Sequence, residues 1–189
     1  MNVTKHRCGW CANDALYQAY HDQEWGVPVY DDAKLFEFLI LETFQAGLSW
    51  ITILRKRENF RKAFDDFDYH KIAHYKQDKT DALAQDAGII RNKLKINAAV
   101  SNAQAFINLQ KEFGDFSTYI WEFIGGKPIK NKVKNYKKAL ATTPLSDALS
   151  KDLKKRGFKF VGSTVMYAYM QAMGMINDHE VGCFRYEEV

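Results

Sequence analysis

Four residues of the types that zinc prefers stand in two pairs at opposite ends of the 189-residue chain. Cys8 and His21 are separated by twelve residues, and His179 and Cys183 by three. Thiolate and imidazole are common zinc ligands, and four of them close a tetrahedral shell. We therefore expect one structural zinc ion that joins the N-terminal and C-terminal segments.

Other interpretations of these residues stay open at this point. Cys8 and Cys183 are also compatible with small apolar core positions, and Cys11 is a third thiol that competes as a ligand. A hydrolytic zinc is disfavoured, because such an ion usually keeps one position free for water. The H-x-E and P-C-x-x-C pair of zinc deaminases is missing from the sequence.

One carboxylate falls on an otherwise apolar helix face. Leu35, Phe38, Leu39 and Glu42 follow helical spacing, so Glu42 is expected to face the core. A buried carboxylate is costly unless it is paired or hydrogen-bonded. Glu42 is therefore either bonded to a tyrosine or a backbone amide, or it faces a ligand, with Gln45 one turn further along.

Aromatic residues accompany this carboxylate. Those near the start of the chain and just after the expected turn at 45–49 are Trp10, Tyr17, Tyr20, Trp25 and Trp50. The two tyrosines share one face if their segment is helical. Apolar rings with a few polar groups are typical of a ligand cavity, and a plain aromatic core is the alternative.

Positive charge is concentrated in one stretch. The net charge is +4, but residues 127–159 hold eleven Lys and Arg against two acidic residues. Such a stretch indicates a polyanion partner, because Lys and Arg release counterions when they bind phosphates. A solvated lysine-rich face is the alternative. Residues 127–142 are expected to form a mobile basic loop.

A helical hairpin is expected at the end of this stretch. One helix runs from Pro144 to about Arg156 with Gly157 as its stop, and Ser163 or Thr164 can cap the next helix. Glycines and the free N–H groups at a helix start suit a DNA phosphate. The basic residues beside this turn are Lys154, Lys155, Arg156 and Lys159.

The remaining sequence favours a single all-α domain over 1–189, with no need for strands. Asp31 or Asp32 and Ser49 are expected to cap the two helices that flank the turn at 45–49. Further helices are expected at about 68–75, 78–86, 92–113 and 116–124. The N-terminus has no apolar signal core, and the cysteine number is odd, so a reducing, cytoplasmic location is expected. No apolar run is long enough to cross a bilayer.

Several motifs together resemble the bacterial 3-methyladenine DNA glycosylase I family of helix-hairpin-helix repair enzymes. The similarity covers most of the chain, with 97–143 and the last few residues more variable. The combination is specific, although each motif alone is not. The motifs are RCGW at 7–10, LYQAYHDQEWGVP at 16–28, LFEFLILETFQAGLSWITILRKRENF at 35–60, DAGIIRNKLKI at 86–96, and SDALSKDLKKRGFKFVGSTVMYAYMQAMGMINDHEVGC at 146–183.

The resemblance implies hydrolysis of the N-glycosidic bond of 3-methyladenine in alkylated duplex DNA, which leaves an abasic site. It implies that Glu42 reads the edge of a flipped base. Gln45 and Leu48, in the turn near this carboxylate, are our candidates for filling the gap that the flipped base leaves in the duplex. The aromatic lining implied for the base is Trp10, Tyr17, Tyr20 and Trp50. The zinc ligands implied are Cys8, His21, His179 and Cys183.

The implied helix-hairpin-helix unit spans about 144–173. Its DNA contacts fall on Lys154, Lys155, Arg156, Gly157, Lys159, Gly162 and Ser163. Many relatives have a tighter Gly-x-Gly hairpin than the span from Gly157 to Gly162. Related glycosylases also keep an aspartate shortly after the second hairpin helix. The nearest acid here is Asp178, and it receives no role from the sequence.

We expect a monomer that acts on double-stranded DNA without a nucleotide cofactor. Lyase activity is not expected, because Lys159 is interpreted as a phosphate contact rather than a Schiff-base nucleophile. A zinc-stabilised DNA-binding module without catalysis is one alternative, and Glu42 on a core face argues against it. A zinc hydrolase of small molecules is another, opposed by the four ligands and the clustered lysines.

Overall fold

The computed structural model describes residues 5–11 and 13–189, and its secondary structure is mostly helical. The α-helices are α1 (Ala15–Gln23), α2 (Asp32–Gln45), α3 (Trp50–Ala63), α4 (Tyr69–Ile72), α5 (Gln77–Leu83), α6 (Lys93–Phe113), α7 (Phe116–Phe123), α8 (Pro144–Lys155) and α9 (Ser163–Ala172). Short 3₁₀ helices lie at Gly9–Cys11, Asp65–Phe67, Tyr136–Lys138 and Phe184–Glu187. Among the helices described, none is long and apolar enough to span a membrane.

Helix α2 forms the centre of the molecule. It packs against α3, α6, α7 and α9, and its residues from Leu35 to Phe44 are all buried. The expected apolar face is confirmed, but burial extends around the whole helix, as in helices enclosed by neighbours on every side. Glu37 tolerates burial because Arg61 donates to its carboxylate at 2.9 Å. Glu42 has no such ion-pair partner among the described residues.

Most helix boundaries follow the local chemistry expected of them. Asp31 caps α2 by accepting from the Lys34 N–H at 2.8 Å. Thr143 caps α8 in a reciprocal pair with Ser146, and Gly157 ends it with φ of 96°. The helices expected at 68–75 and 78–86 are shorter in the structure, ending at Ile72 and Leu83.

One expected cap is wrong, and another is confirmed in position but not in its hydrogen bond. Neither Ser163 nor Thr164 caps α9, because Gly162 occupies the cap position and Ser163 is already the first helical residue. The Ser163 hydroxyl instead lies 2.8 Å from the Ser146 hydroxyl, so it ties α8 to α9. Ser49 does occupy the N-cap position of α3, as expected, but its hydroxyl pairs with Thr52 Oγ1 rather than with a backbone N–H.

The segment 127–142 departs from the expectation of a mobile loop in an all-α protein. Strand β1 (Ile129–Lys130) pairs in parallel with β2 (Ile176–Asn177), and Val133 forms a further bridge with Glu180. These strands are two residues long, too short to show a period of two in the sequence. Tertiary hydrogen bonds thus attach this basic segment to the chain that follows α9.

Candidate functional site

A cavity of about 360 Å³ opens between α1, α2, the start of α3, α9 and the 127–142 segment. We call it the base cavity, after the alkylated base that the sequence resemblance leads us to expect there. The helices supply rings and a carboxylate, and the segment supplies small apolar residues. Its lining is Trp10, Tyr17, Tyr20, Trp25, Glu42, Gln45, Trp50, Tyr136, Ala139, Leu140, Ala141, Ala168, Gln171 and Asp178.

The structure brings together seven residues that the sequence singled out for a ligand cavity: Trp10, Tyr17, Tyr20, Trp25, Glu42, Gln45 and Trp50. Helices α1 and α2 and the start of α3 position five of them, the 3₁₀ turn at Gly9–Cys11 carries Trp10, and Trp25 follows α1. The Trp10 ring centroid lies 4.8 Å from that of Tyr17 and 4.9 Å from that of Trp25. The rings therefore form one continuous aromatic wall.

Glu42 is the chemically unusual member of the base cavity. Its side chain is 3% exposed, and its Oε2 has no hydrogen-bond partner among the described residues. The tyrosine or backbone partner considered from the sequence is therefore missing at this atom. Burial raises the pKa of the Glu42 carboxyl to about 8. Trp50 Nε1 is likewise buried without a partner in the described chain, so the cavity offers a free donor and a free acceptor.

The sequence did not single out the wall formed by Tyr136 and residues 139–141, nor Ala168, Gln171 and Asp178 as lining residues. They come from a segment interpreted as a loop and from the far end of the chain. The Tyr167 hydroxyl and Gln171 Nε2 donate to Asp178 Oδ2, each at 2.7 Å. No periodicity marked these positions, because tertiary packing brings them to the cavity, and Asp178 was noted only as the acid nearest to the second hairpin helix.

A second cluster lies behind the aromatic wall. One ligand atom each from Cys8, His21, His179 and Cys183 lies within 4.8 Å of the others, and all four side chains are buried. His179 Nδ1 is 3.5 Å from Cys8 Sγ and 3.6 Å from Cys183 Sγ, and His21 Nε2 is 3.4 Å from Cys183 Sγ. These four residues can therefore hold a metal ion.

The outer nitrogens of both imidazoles are also occupied. His21 Nδ1 lies 2.8 Å from the Asp22 carboxylate, and His179 Nε2 lies 3.1 Å from the Trp25 carbonyl oxygen. Such partners fix the ring orientation and leave the other nitrogen to face the cluster. The pKa of the Cys183 thiol is lowered, chiefly because Cys8 hydrogen-bonds to it and then because both imidazoles do.

Cys11 does not join this cluster. Its thiol donates to the Cys8 carbonyl oxygen at 3.1 Å, and burial raises its pKa to about 11. A thiol in this state is a poor thiolate ligand and a poor nucleophile. The four-residue set of the cluster is thus the one that the spacing indicated.

The basic residues of the hairpin differ in whether their charged groups are free or held in ion pairs. Lys154 and Lys155 are exposed at the end of α8, and Lys154 shares a small cleft with Ser163 at the start of α9. The Arg156 guanidinium is instead occupied by Glu112 and Asp152, each at 2.6 Å. The Lys159 N–H donates to buried Asn102 at 2.7 Å, which holds the hairpin against α6.

Leu48 lies outside the base cavity but close to it. It is 41% exposed in the turn between α2 and α3, and its N–H donates to the carbonyl of cavity residue Gln45 at 2.6 Å. An apolar side chain in this position is not needed for the core.

Comparison with known proteins fits this geometry. Residues 10–186 match the family described as methyladenine glycosylase. The chain is 50% identical to DNA-3-methyladenine glycosylase 1 of Escherichia coli (strain K12) over 180 residues, which is 95% of this chain and 96% of that protein.

Solved structures give the same result. A crystal structure of 3-methyladenine DNA glycosylase I superposes with a TM-score of 0.92 at 50% identity, covering 95% of this chain and 98% of that one. A variant of 3-methyladenine DNA glycosylase I in complex with 3-methyladenine gives a TM-score of 0.91 at 34% identity, covering 94% and 96%. The mostly helical fold is the fold of these glycosylases. The chain belongs to the methyladenine glycosylase family.

Burial of Glu42 predicts a characteristic pH dependence of stability. Because its pKa is raised to about 8 in the folded state, the native protein binds more protons than the unfolded chain between about pH 5 and 8. The free energy of unfolding therefore falls as pH rises through this window, by up to about 1.4 kcal/mol per pH unit from this group.

Glu42→Gln removes this slope, so the variant gains stability relative to wild type as pH rises from 5 to 8. Urea unfolding at several pH values measures the difference. Gln45→Ala changes the same cavity without touching a titratable group, and its curve is expected to run parallel to wild type. If the stability of Glu42→Gln also followed the wild-type dependence on pH, the Glu42 carboxyl would not be buried without a partner.

Proposed function

We propose that this protein is a monofunctional DNA glycosylase that removes 3-methyladenine from alkylated duplex DNA. The observation that carries the proposal is the unpaired Glu42 carboxyl in an aromatic cavity large enough for a purine. Family membership over residues 10–186 supports the same reaction. The base would be flipped out of the duplex, and its release would leave an abasic site.

The chemistry of an alkylated purine suits this cavity. Methylation at N3 gives the base of the nucleoside a positive charge. Such a base is a good leaving group because it departs as a neutral molecule. Positive charge beside Glu42 would lower its raised pKa and favour the ionised carboxylate. The rings of Trp10, Tyr17, Tyr20 and Trp50 would stack on the base, worth about 1–3 kcal/mol. Glu42 and Gln45 would then read the polar edge of the base.

The first experiment is release of free bases from methylated duplex DNA, separated by chromatography. We expect 3-methyladenine to be released, 7-methylguanine to stay in place, and untreated DNA to lose nothing. Glu42→Gln is expected to fold normally and to lose excision or selectivity, because it removes the charge that the cationic base meets.

The outcome also separates the two alternative functions. Folded, metal-loaded protein that binds DNA and releases no base would favour a non-catalytic DNA-binding module. Release at the wild-type rate and selectivity by Glu42→Gln would remove Glu42 from its proposed role. Four protein ligands would close the coordination shell of the metal ion, and the exposed lysines suit a polyanion. Both features weigh against a small-molecule zinc hydrolase.

We propose that one structural zinc ion joins the chain ends through Cys8, His21, His179 and Cys183. A tetrahedral zinc with ordinary bond lengths places its sulfur and nitrogen ligands about 3.6 Å apart. Three sulfur-to-nitrogen distances in the cluster, of 3.4 to 3.6 Å, fit that geometry. Four protein ligands leave no position for a hydrolytic water, so the ion would be structural.

Purification without chelator is expected to yield one zinc per chain by elemental analysis. Cys183→Ser is expected to lose the ion and several kcal/mol of stability, because the site contributes folding energy directly. Cys11→Ser is the matched control, since this nearby buried thiol lies outside the cluster, and it should keep full zinc content. Wild-type protein that folds without stoichiometric zinc would refute the site.

We propose that α8, the hairpin at 157–162 and α9 form a helix-hairpin-helix unit, over about 144–173, that binds DNA phosphates. The start of α9, with Gly162 and Ser163, offers N–H groups to an anion, and Lys154 lines the same cleft. Lys155 and Lys159 are exposed beside it, and Gly157 allows the turn. Arg156 would then support the unit through its ion pairs rather than contact phosphate freely.

Replacing Lys154 and Lys155 together by Ala is expected to weaken duplex binding on all sequences and to reduce the salt slope by about two, one per lost phosphate contact. Fluorescence anisotropy at several salt concentrations measures both quantities. Arg156→Ala provides a contrast, expected to destabilise the fold more than it changes the salt slope. An unchanged slope in the double variant would locate the phosphate contacts elsewhere.

The remaining features of the proposal follow from the same arrangement. The exposed side chain of Leu48, with Gln45, would fill the gap left in the duplex by the flipped base. We propose that residues 1–189 act as one domain and as a monomer in the cytoplasm. Neither a nucleotide cofactor nor a lyase nucleophile is part of the mechanism.

A further inference from the structure

Helix α6 carries two buried polar side chains that do not line the base cavity. Lys95 is 6% exposed, and Asn102 is fully buried. They lie two helical turns apart, roughly 10 Å along the axis, so they share one face of α6. Burial of such groups is costly unless hydrogen bonds compensate for it, so the partners of each side chain show what this face holds.

Lys95 holds the end of α2. Its Nζ donates to the Phe44 carbonyl oxygen at 2.9 Å and to the Ala46 carbonyl oxygen at 2.6 Å. It forms no ion pair with any residue that the structure describes, and burial lowers the pKa of its ammonium group. The last carbonyls of a helix have no partner within the helix, and the helix dipole favours a cation beside them. Lys95 is thus a cap for α2 that comes from a different helix.

The chain that Lys95 holds leads directly into the turn at 45–49. The carbonyl of Gln45, between the two that Lys95 binds, accepts from the Leu48 N–H. Three consecutive carbonyls at the end of α2 are therefore engaged. Gly47 has a φ of 82°, which lets the chain reverse. The exposed side chain of Leu48 consequently stands on a turn whose inner side is fixed by hydrogen bonds.

Asn102 holds the hairpin at 157–162. Its Nδ2 donates to the Lys159 carbonyl oxygen at 3.1 Å, and its Oδ1 accepts from the Lys159 N–H at 2.7 Å. One side-chain amide thus satisfies both backbone polar groups of a single hairpin residue. The next residue, Phe160, has a φ of 56°, which is strained for a residue other than glycine. The two hydrogen bonds of Asn102 hold the hairpin in this conformation.

We propose that Lys95 and Asn102 are positioning residues that set the spacing between the turn at 45–49 and the hairpin before DNA binds. This inference rests on the proposed glycosylase function, in which the turn fills the gap left by the flipped base and the hairpin binds phosphates. Because one helix holds both elements, the gap lies at a fixed place relative to the bound phosphates. Neither side chain contacts DNA. Elements that are ordered in advance lose less entropy on binding, so the effect falls on affinity.

Lys95→Met tests the first contact, because it removes the ammonium group and keeps an unbranched side chain. Fluorescence anisotropy compares a duplex that carries tetrahydrofuran in place of one nucleoside with an unmodified duplex. Binding of the tetrahydrofuran duplex is expected to weaken about tenfold, and binding of the unmodified duplex to stay within about twofold, since phosphate contacts do not need the turn. Wild-type affinity for the tetrahydrofuran duplex in folded Lys95→Met would overturn the proposal.

Lys111→Met is the matched control, since it removes an exposed lysine from the last turn of the same helix. It is expected to bind both duplexes as wild type does. A loss in Lys111→Met equal to that in Lys95→Met would attribute the effect to charge and overturn the proposal.

A double-mutant cycle separates positioning from a merely structural role. Leu48→Ala alone is expected to weaken binding of the tetrahydrofuran duplex about tenfold, and so is Leu48→Ala combined with Lys95→Met, because the lysine acts through the turn. A lysine that only stabilises the fold would show no such coupling. Losses that multiply to about 100-fold would overturn the proposal, and so would wild-type affinity in Leu48→Ala alone.

Asn102→Leu tests the second contact. It is expected to weaken binding of both duplexes by the same factor, because the hairpin contacts phosphates and does not sense a missing base. A loss confined to the tetrahydrofuran duplex, or no loss in either, would overturn the assignment of Asn102 to the hairpin.

A measurement on wild type keeps the proposal testable if these variants do not fold. Backbone order parameters from ¹⁵N relaxation at 46–49 and 157–162 are expected to match those of α2, near about 0.85, in the absence of DNA. Lower values than in α2 would overturn the proposal, because the spacing would then not be set in advance. Wild type that releases no 3-methyladenine from methylated duplex DNA would instead refute the proposed function itself.

Discussion

The contact between the two ends of the chain is the interaction on which the rest of the site depends. Cys8 and His179 are 171 positions apart, yet Cys8 Sγ lies 3.5 Å from His179 Nδ1. Bringing such distant segments together has an entropic cost that grows slowly with loop length. The packing of buried thiols and imidazoles alone offsets little of this entropic cost, because burying polar groups is itself unfavourable. A shared metal ion, as proposed here, would offset the cost in a single step.

The aromatic wall of the base cavity rests on this contact. The Trp10 ring lies 5.2 Å from the His21 ring, and the Trp25 ring lies 4.6 Å from the His179 ring, centroid to centroid. Glu180 directly follows His179 of the cluster. Its carboxylate accepts from the Gly9 N–H at 3.0 Å and from the Tyr136 N–H at 2.9 Å. One glutamate thus connects the N-terminal turn to the basic segment. This connection explains why residues 127–142 form an ordered wall rather than a free loop.

The sequence predicted those features whose signal is local or whose chemistry is unusual. The face that includes Leu35 and Glu42 was visible as helical spacing, and the cap at Thr143 was visible as residue type. The two Cys/His pairs were visible because these residues are rare. Each of these signals reports a short-range constraint that the fold keeps.

The remaining features depend on tertiary contacts. Strands β1 and β2 exist because two backbone segments far apart in sequence pair over two residues, which leaves no period to detect. Asp178 was noted only as the acid nearest to the second hairpin helix, and its surroundings carry no local signal, since its three donors come from the 127–142 segment and from α9. Arg156 was expected to contact phosphate because of its charge and its position beside the hairpin. Only the fold reveals that Glu112 and Asp152 already occupy it.

The two carboxylates of the base cavity, Glu42 and Asp178, lie in opposite environments. Glu42 lies among rings with an unpartnered oxygen, and burial raises its pKa to about 8, so the protonated form predominates at neutral pH. A cationic base would ionise it, whereas a neutral base would not, because only an opposite charge offsets the desolvation of the carboxylate. Discrimination against ordinary purines would then arise from the charge of the base. Asp178, by contrast, accepts hydrogen bonds from Asn131, Tyr167 and Gln171 before any ligand arrives. Glu42 is thus the carboxylate of this cavity that keeps an unpartnered oxygen for the base to meet.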